Sequence, residues 1–421
     1  MTIELNIEKL GPFGEGIAFI EDKKIFVNDA LPGEIVRAKI TVSKESYARA
    51  ELVEILQPSK ERVDAPCPLF GKCGGCQIMH LCYPAQLKFK EKRVKKTLKT
   101  EQVNPCIPSP KAFGYRNKIQ LCVKNDLIGL YARGSNDIIE TPECLVHSPI
   151  GEKVFKQTKE RLSPLKEVKY LLIKTAIHTK QAIVTFVCNS APCEKLKTIA
   201  KDLFQACDEV VGVIANINRE ESNTILGKEY ITLAGQDHMS EMICGLSFKV
   251  SPASFFQVNT LQAEALYTQA INFLDLKGDE TVLDAYCGVG TLTLLAAKQS
   301  GHIVGIEWVQ EAIIDAKENA QTNNIDNCRF ICGDAAKEIS NLDRCDAALL
   351  NPPRKGCGKK LLDSLLKLKP KKIVYVSCNP ETLGRDIEIL QKGGYSLKVV
   401  QPFDMFPQTM HVETVALLIL E

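Results

Sequence analysis

Three regimes of hydrophobic and polar positions follow one another along the chain. Residues 1–57 alternate apolar and polar positions in short runs, as in Lys24-Ile25-Phe26-Val27 and in the stretch from Glu34 to Ile40. A period of two marks strands with one buried face. Gly11, Pro12, Gly14 and Gly16 punctuate the start, and Leu31-Pro32-Gly33 reads as a turn. Short strands with frequent turns predict a small OB-like β-barrel over 1–57, followed by a linker at Pro58-Ser59-Lys60.

The second regime, 58–250, is mixed α+β. It holds a strand-like run at 182–187 and a helical one over Glu194–Ala206. From 251 to 421 strand and helix alternate. Strands are predicted at Thr281–Asp284, 303–307, 329–332, Ala347–Leu350, 373–377 and 415–420, with helices at Gln310–Thr322 and Pro380–Lys392 between them. Such alternation predicts an α/β domain built on a parallel, doubly wound sheet.

Composition changes little in this picture. A chain of 421 residues with 45% hydrophobic and 25% charged positions is an ordinary globular one, long enough for two to four domains. No apolar run is long enough to cross a membrane, and the start MTIELNIEKLGPFGEG lacks the pattern of a signal peptide. A cytoplasmic monomer with no membrane partner is expected. The net charge of +2 says nothing about nucleic acid, but its distribution does. Between residues 86 and 99 stand Lys88, Lys90, Lys92, Arg93, Lys95, Lys96 and Lys99, opposed only by Glu91. Such a helix is either a solvated face or a surface that tracks phosphates.

Most of the 17 cysteines, such as Cys122, Cys188, Cys328 and Cys332, sit singly in apolar runs and read as small buried hydrophobes. Two groups break that pattern. The first is Cys67, Cys73 and Cys76. Clustered thiolates suit zinc or an iron–sulfur cluster. Cys82 competes by proximity but begins a helical run. The second is Cys378, where the strand 373–377 ends and the helix Pro380–Lys392 opens. Ligands gather at the carboxyl ends of such strands, and a helix N-terminus nearby favours a thiolate.

The turn Asp284-Ala285-Tyr286-Cys287-Gly288-Val289-Gly290 lets a ligand approach the backbone ahead of a helix starting near Thr291. Glu307 closes the next strand, where a carboxylate holds a ribose hydroxyl, and Asp334 follows the third, where a side chain faces an adenine. Thr293 stands where a dinucleotide-binding fingerprint has its third glycine. Asn351-Pro352-Pro353-Arg354 ends the fourth strand instead, a pattern typical of S-adenosylmethionine-dependent methyltransferases. Adenine amino-methyltransferases carry Asn-Pro-Pro followed by an aromatic, whereas Arg354 follows here.

A cysteine at that strand end suits methylation of uracil. Carbon 5 is a weak nucleophile until a thiolate adds to carbon 6, and a base must later take the carbon 5 proton. Glu413, opening an apolar strand, is the candidate base. His411, taken to share its strand face, would orient a partner or the RNA.

Asn351-Pro352-Pro353-Arg354, Val376-Ser377-Cys378-Asn379-Pro380, the segment around Glu413 and Phe255-Phe256-Gln257-Val258-Asn259 together resemble the RNA uracil-5-methyltransferase family. The resemblance implies a Rossmann-like class I methyltransferase domain at 251–421, Cys378 as nucleophile and Glu413 as base. It also implies cofactor contacts from Gln257, Tyr286, Glu307 and Asn351, although the family usually has aspartate where Asn351 stands. Upstream, residues 1–57 are similar to a TRAM RNA-binding barrel. Cys67, Cys73, Cys76 and Cys144 are similar to the ligands of the family's [4Fe–4S] cluster, in a central RNA-binding domain over 58–250, and a fourth cysteine that stands alone speaks against a zinc ribbon. Arg116 and Lys118 are candidate RNA contacts. The expected substrate is a uridine in 23S ribosomal RNA, with transfer RNA as the alternative. Cytosine-5 methylation and a non-catalytic iron–sulfur RNA-binding protein are weaker readings.

Overall fold

The computed structural model describes residues 2–124, 127–162, 165–220 and 224–421. Its first sheet has six strands in the order Thr2–Asn6, Ile35–Ser43, Tyr47–Gln57, Lys23–Val27, Gly16–Ile20 and Lys9–Leu10. Alternate positions of these strands close over Leu5, Ala18, Ile25, Val27, Val36, Ala38 and Ala48. The short-period pattern of the sequence therefore becomes one face of a single small core.

A second, seven-stranded sheet is built around Val168–Thr175, Ala182–Cys188 and Val210–Ile217. Helices Pro149–Arg161 and Glu194–Ala206 cover it with Val154, Phe155, Leu196 and Leu203. The cysteine-rich stretch before it is mostly turns. Tyr83–Leu98 then forms the basic helix.

The third sheet runs in the order Cys328–Cys332, His302–Glu307, Thr281–Asp284, Ala347–Leu350, Lys372–Ser377, Glu413–Leu420, Tyr395–Phe403. Its first five strands are parallel. Thr281–Asp284 and Ala347–Leu350 lie at its centre, covered by helices on both faces, which explains their unbroken apolar runs. The last strand is reversed and is inserted antiparallel beside Lys372–Ser377, with Tyr395–Phe403 at the edge. The expected parallel sheet is thus completed by an antiparallel pair.

The basic helix departs from a simple solvated face. Lys90 is fully buried and forms an ion pair with Asp404, while also donating to the Phe406 carbonyl at 3.0 Å. Arg93 donates to the Met410 carbonyl at 2.9 Å and to Glu381 at 3.0 Å. Gln86 exchanges two hydrogen bonds with Gln408. One side of this helix therefore grips the segment that leads into the last strand.

Candidate active site

The strand Lys372–Ser377 faces Glu413–Leu420 in antiparallel register, with Ser377 opposite Thr414. One step further on each strand brings Cys378 beside Glu413. The turn that holds Cys378 is fixed by Asn379, whose side chain caps the helix Pro380–Lys392 by accepting from the Glu381 N–H at 3.1 Å. The same amide donates to the Arg354 carbonyl at 3.1 Å, which stitches the Asn351–Arg354 loop to this turn.

Three charges then act on one another. Burial raises the pKa of the Cys378 thiol above its ordinary value, and the Glu413 carboxyl adds to the effect, while Arg354 pulls it back down. Proximity to a helix N-terminus was expected to favour the thiolate, but burial beside a carboxyl outweighs it. Glu413 is only 4% exposed and is pushed up to about 8 by burial, again opposed by Arg354. Arg354 is thus the cation common to both groups. The Tyr267 hydroxyl is raised by burial and by Glu413, and it meets the side chain of Gln257.

His411 precedes the strand instead of sharing its face, because regular pairing begins at Glu413. Its ring lies edge-on to Phe406 at 5.9 Å. Burial and then the cations Arg354, Arg93, Lys90 and Arg116 depress it to about 4, so the imidazole is neutral near neutral pH.

Further along the carboxyl ends of the strands, Gly288 and Gly290 adopt φ of +53° and +87°. Left-handed backbone accounts for glycine at both. At Gly290 a Cβ would also press on Ala316 and Phe330. The Gly288 N–H donates to Glu307 Oε2 at 3.2 Å, and Glu307 Oε1 accepts from the N–H groups of Trp308 and Val309. Asp334 caps a short helix through one oxygen. Tyr286 turns its hydroxyl toward Cys357. Asn351 lies in the loop after Ala347–Leu350.

Asp284 is the residue here that sequence reasoning did not single out. Its Oδ2 accepts from Thr293 Oγ1 at 2.7 Å, whereas Oδ1 is buried without a hydrogen-bond partner among the described residues. Burial, with Glu307 adding to it, raises the carboxyl to about 6. A carboxylate ending an apolar strand just before a glycine turn was the available signal. An orphaned buried acceptor beside two left-handed glycines and a pinned carboxylate suits a cofactor with amino and hydroxyl donors.

Cys67, Cys73 and Cys76 lie in the turns before the basic helix, and Cys144 lies just ahead of Pro149–Arg161. All four are free thiols, and Cys67, Cys76 and Cys144 pack with Phe70, Met79, Tyr115 and Val146. Burial pushes Cys76 up to about 12, and Cys144, Cys73 and Cys67 each add to the shift, so the four side chains converge. Even so, no group of three or more His, Cys, Asp or Glu among the described residues has the arrangement that holds a metal ion.

Residues 152–421 match the family described as tRNA (Uracil-5-)-methyltransferase, and residues 1–53 match the TRAM domain. A Listeria innocua protein described as an uncharacterized RNA methyltransferase is 40% identical, over 100% of this chain and 98% of its own. A similarly described protein of Halalkalibacterium halodurans is 38% identical over 99% and 96%. Among solved structures, the tRNA (uracil-54, C5)-methyltransferase of Pyrococcus abyssi, in complex with S-adenosyl-L-homocysteine, aligns over 99% of both chains. Its TM-score is 0.82 and its identity 28%. With a class I methyltransferase fold, an N-terminal TRAM domain and relatives matched end to end, this chain belongs to the S-adenosylmethionine-dependent RNA uracil-5-methyltransferase family.

Proposed function

We propose that the protein methylates a uridine of 23S ribosomal RNA through a covalent adduct, with Cys378 as nucleophile and Glu413 as base. The observation that carries this reading is the meeting of Cys378, Glu413 and Arg354 where the strand Lys372–Ser377 ends and its antiparallel neighbour Glu413–Leu420 begins. The target base must leave its stack to reach a half-buried thiol. Arg354 stabilises the Cys378 thiolate, which adds to carbon 6 and drives charge onto the uracil oxygen and carbon 5. S-adenosylmethionine, when bound, supplies the methyl group as a sulfonium electrophile. Glu413 in its ionised form then takes the carbon 5 proton, and the electrons of that bond expel the thiolate from carbon 6.

Asp284, Glu307, Asp334 and Asn351 offer acceptors for the cofactor's amino and hydroxyl groups, and Gln257 and Tyr286 complete the walls of the crevice. The four cysteines Cys67, Cys73, Cys76 and Cys144 support a [4Fe–4S] cluster. A single zinc sits about 2.3 Å from each sulfur and draws four thiolates tightly together. A four-iron cluster is ligated at its corners and holds them further apart. Three cysteines close in sequence with a single distant fourth suit the second better than they suit the paired cysteines of a zinc ribbon.

Pairing of a TRAM domain with that cysteine set favours ribosomal RNA. Transfer RNA is the second reading, favoured by the likeness to an archaeal enzyme that acts on it. Nucleoside mass spectrometry of separated 23S and transfer RNA, from cells with and without the gene, decides between them. Loss of 5-methyluridine from transfer RNA alone would refute the ribosomal assignment, and loss from neither would refute the activity.

A further inference from the structure

The basic helix divides its cations into two sets. Lys90, Arg93 and Lys95 are paired, with Asp404, Glu381 and the acids Glu91 and Glu101 respectively. Lys88, Lys92, Lys96 and Lys99 are all exposed, and none makes an ion pair or side-chain hydrogen bond among the described residues. Steps of four place Lys88, Lys92 and Lys96 in one row on the side away from the buried Gln86, Lys90 and Val94, and Lys99 follows at the left-handed C-cap of the helix. From Lys88 to Lys96 the row rises about 12 Å.

Like charges at that spacing repel, so folding gains nothing from the row. The helix's only acid, Glu91, is taken by Lys95. The row is also fixed relative to the active site. Lys92 is next to Arg93, which bonds the Met410 carbonyl and acts electrostatically on His411, close to Glu413. Near the end of the helix, Lys92, Lys95, Lys96 and Lys99 line a shallow hollow with Thr100 and Glu101.

We infer that Lys88, Lys92, Lys96 and Lys99 form a ridge that carries the phosphate backbone of the substrate RNA alongside the active site, an inference that rests on the RNA-methylation reading above. Charge complementarity names the occupant. A regularly charged, flexible chain satisfies a line of unpaired ammonium groups without base-specific contacts.

The test compares wild type with a variant carrying Lys88→Gln, Lys92→Gln, Lys96→Gln and Lys99→Gln together. Lys95→Gln serves as the control for a paired lysine. Binding to unmodified 23S ribosomal RNA and transfer RNA transcripts is titrated across a series of salt concentrations. Each phosphate contact contributes about 0.7 to the slope of log affinity against log salt for single strands, so the fourfold variant should lose roughly two to three from it. Its affinity should fall more than tenfold, with cofactor binding and kcat at saturating RNA unchanged. Lys95→Gln should leave the slope as it is. An unaltered slope in the fourfold variant overturns the ridge, and is also the result expected if an acidic protein is the true partner. A wild type that binds these RNAs but makes no 5-methyluridine overturns the catalytic reading instead, while the slope comparison still decides the ridge.

Discussion

At the scale of single residues, the proposed centre is a half-buried thiol and a buried carboxyl: burial disfavours charge on both, the carboxyl adds to the effect on the thiol, and Arg354 opposes it at each. The proposed chemistry needs each ionised in its turn, the thiol for addition and the carboxyl for proton removal, and Arg354 is the cation that favours both. Cys378→Ala is expected to abolish methylation and leave cofactor affinity within a few fold. A purified variant retaining a tenth of the normal rate rules out the covalent route. Glu413→Gln should permit addition and methyl transfer but block proton removal, so that a protein–RNA band survives denaturing electrophoresis. The same substitution carries a stability signature. Glu413 is raised to about 8, so the folded chain keeps a proton that the unfolded chain releases above the usual carboxylate range. Stability contributed by this group therefore falls as pH rises through that window. Glu413→Gln should match wild type at the acidic end and exceed it near pH 8 by on the order of a few kcal/mol. Denaturant midpoints at both ends of the window test this, and equal midpoints throughout contradict the buried-carboxyl account. Both were singled out in the sequence from what uracil methylation would need. The raised thiol was not, since it depends on a neighbour that only the antiparallel register supplies.

At the scale of elements, period and punctuation located most of the third sheet. Thr281–Asp284, Ala347–Leu350, Gln310–Thr322 and Pro380–Lys392 stand where the pattern put them. Tyr395–Phe403 escaped because Lys398, Gln401 and Pro402 interrupt its apolar positions, as suits an edge strand. The inward turn of Lys90 was equally invisible. It stands among six other cations, and its partner Asp404 is 314 positions away. That pair makes the helix Tyr83–Leu98 a clamp on the segment before Glu413. Burial lowers the Lys90 pKa, and Asp404 opposes the shift. Asp404→Asn strands a charge in the core and should cost roughly 3–5 kcal/mol. Lys90→Met combined with Asp404→Leu removes both charges and should cost less than the single change. Urea unfolding of both variants measures the difference. A double variant less stable than Asp404→Asn contradicts the assignment of the loss to an unpaired buried charge.

At the scale of the whole molecule, the four cysteines come from segments that the sequence separates widely. Cys67, Cys73 and Cys76 precede the basic helix, whereas Cys144 follows three strands of the central sheet, 68 positions beyond Cys76. Convergence of four half-buried thiols is a poor way to stabilise an apoprotein. Burial and mutual repulsion keep Cys73, Cys76 and Cys144 protonated, and no disulfide joins them. A metal centre reverses this logic, because its positive charge deprotonates the thiols and turns four crowded groups into one cross-link. Turn-rich surroundings with little regular structure would then depend on that cross-link for their shape. Replacing Cys67, Cys73, Cys76 or Cys144 with Ser should therefore cost the brown colour, the bound iron and most of the soluble yield. Cys82→Ser should cost none of these, since Cys82 only begins the helix. Iron, sulfide and zinc analysis of anaerobically purified protein, beside the five variants, tests the assignment. Zinc without iron in the wild type, or iron retained after any one of the four substitutions, defeats it.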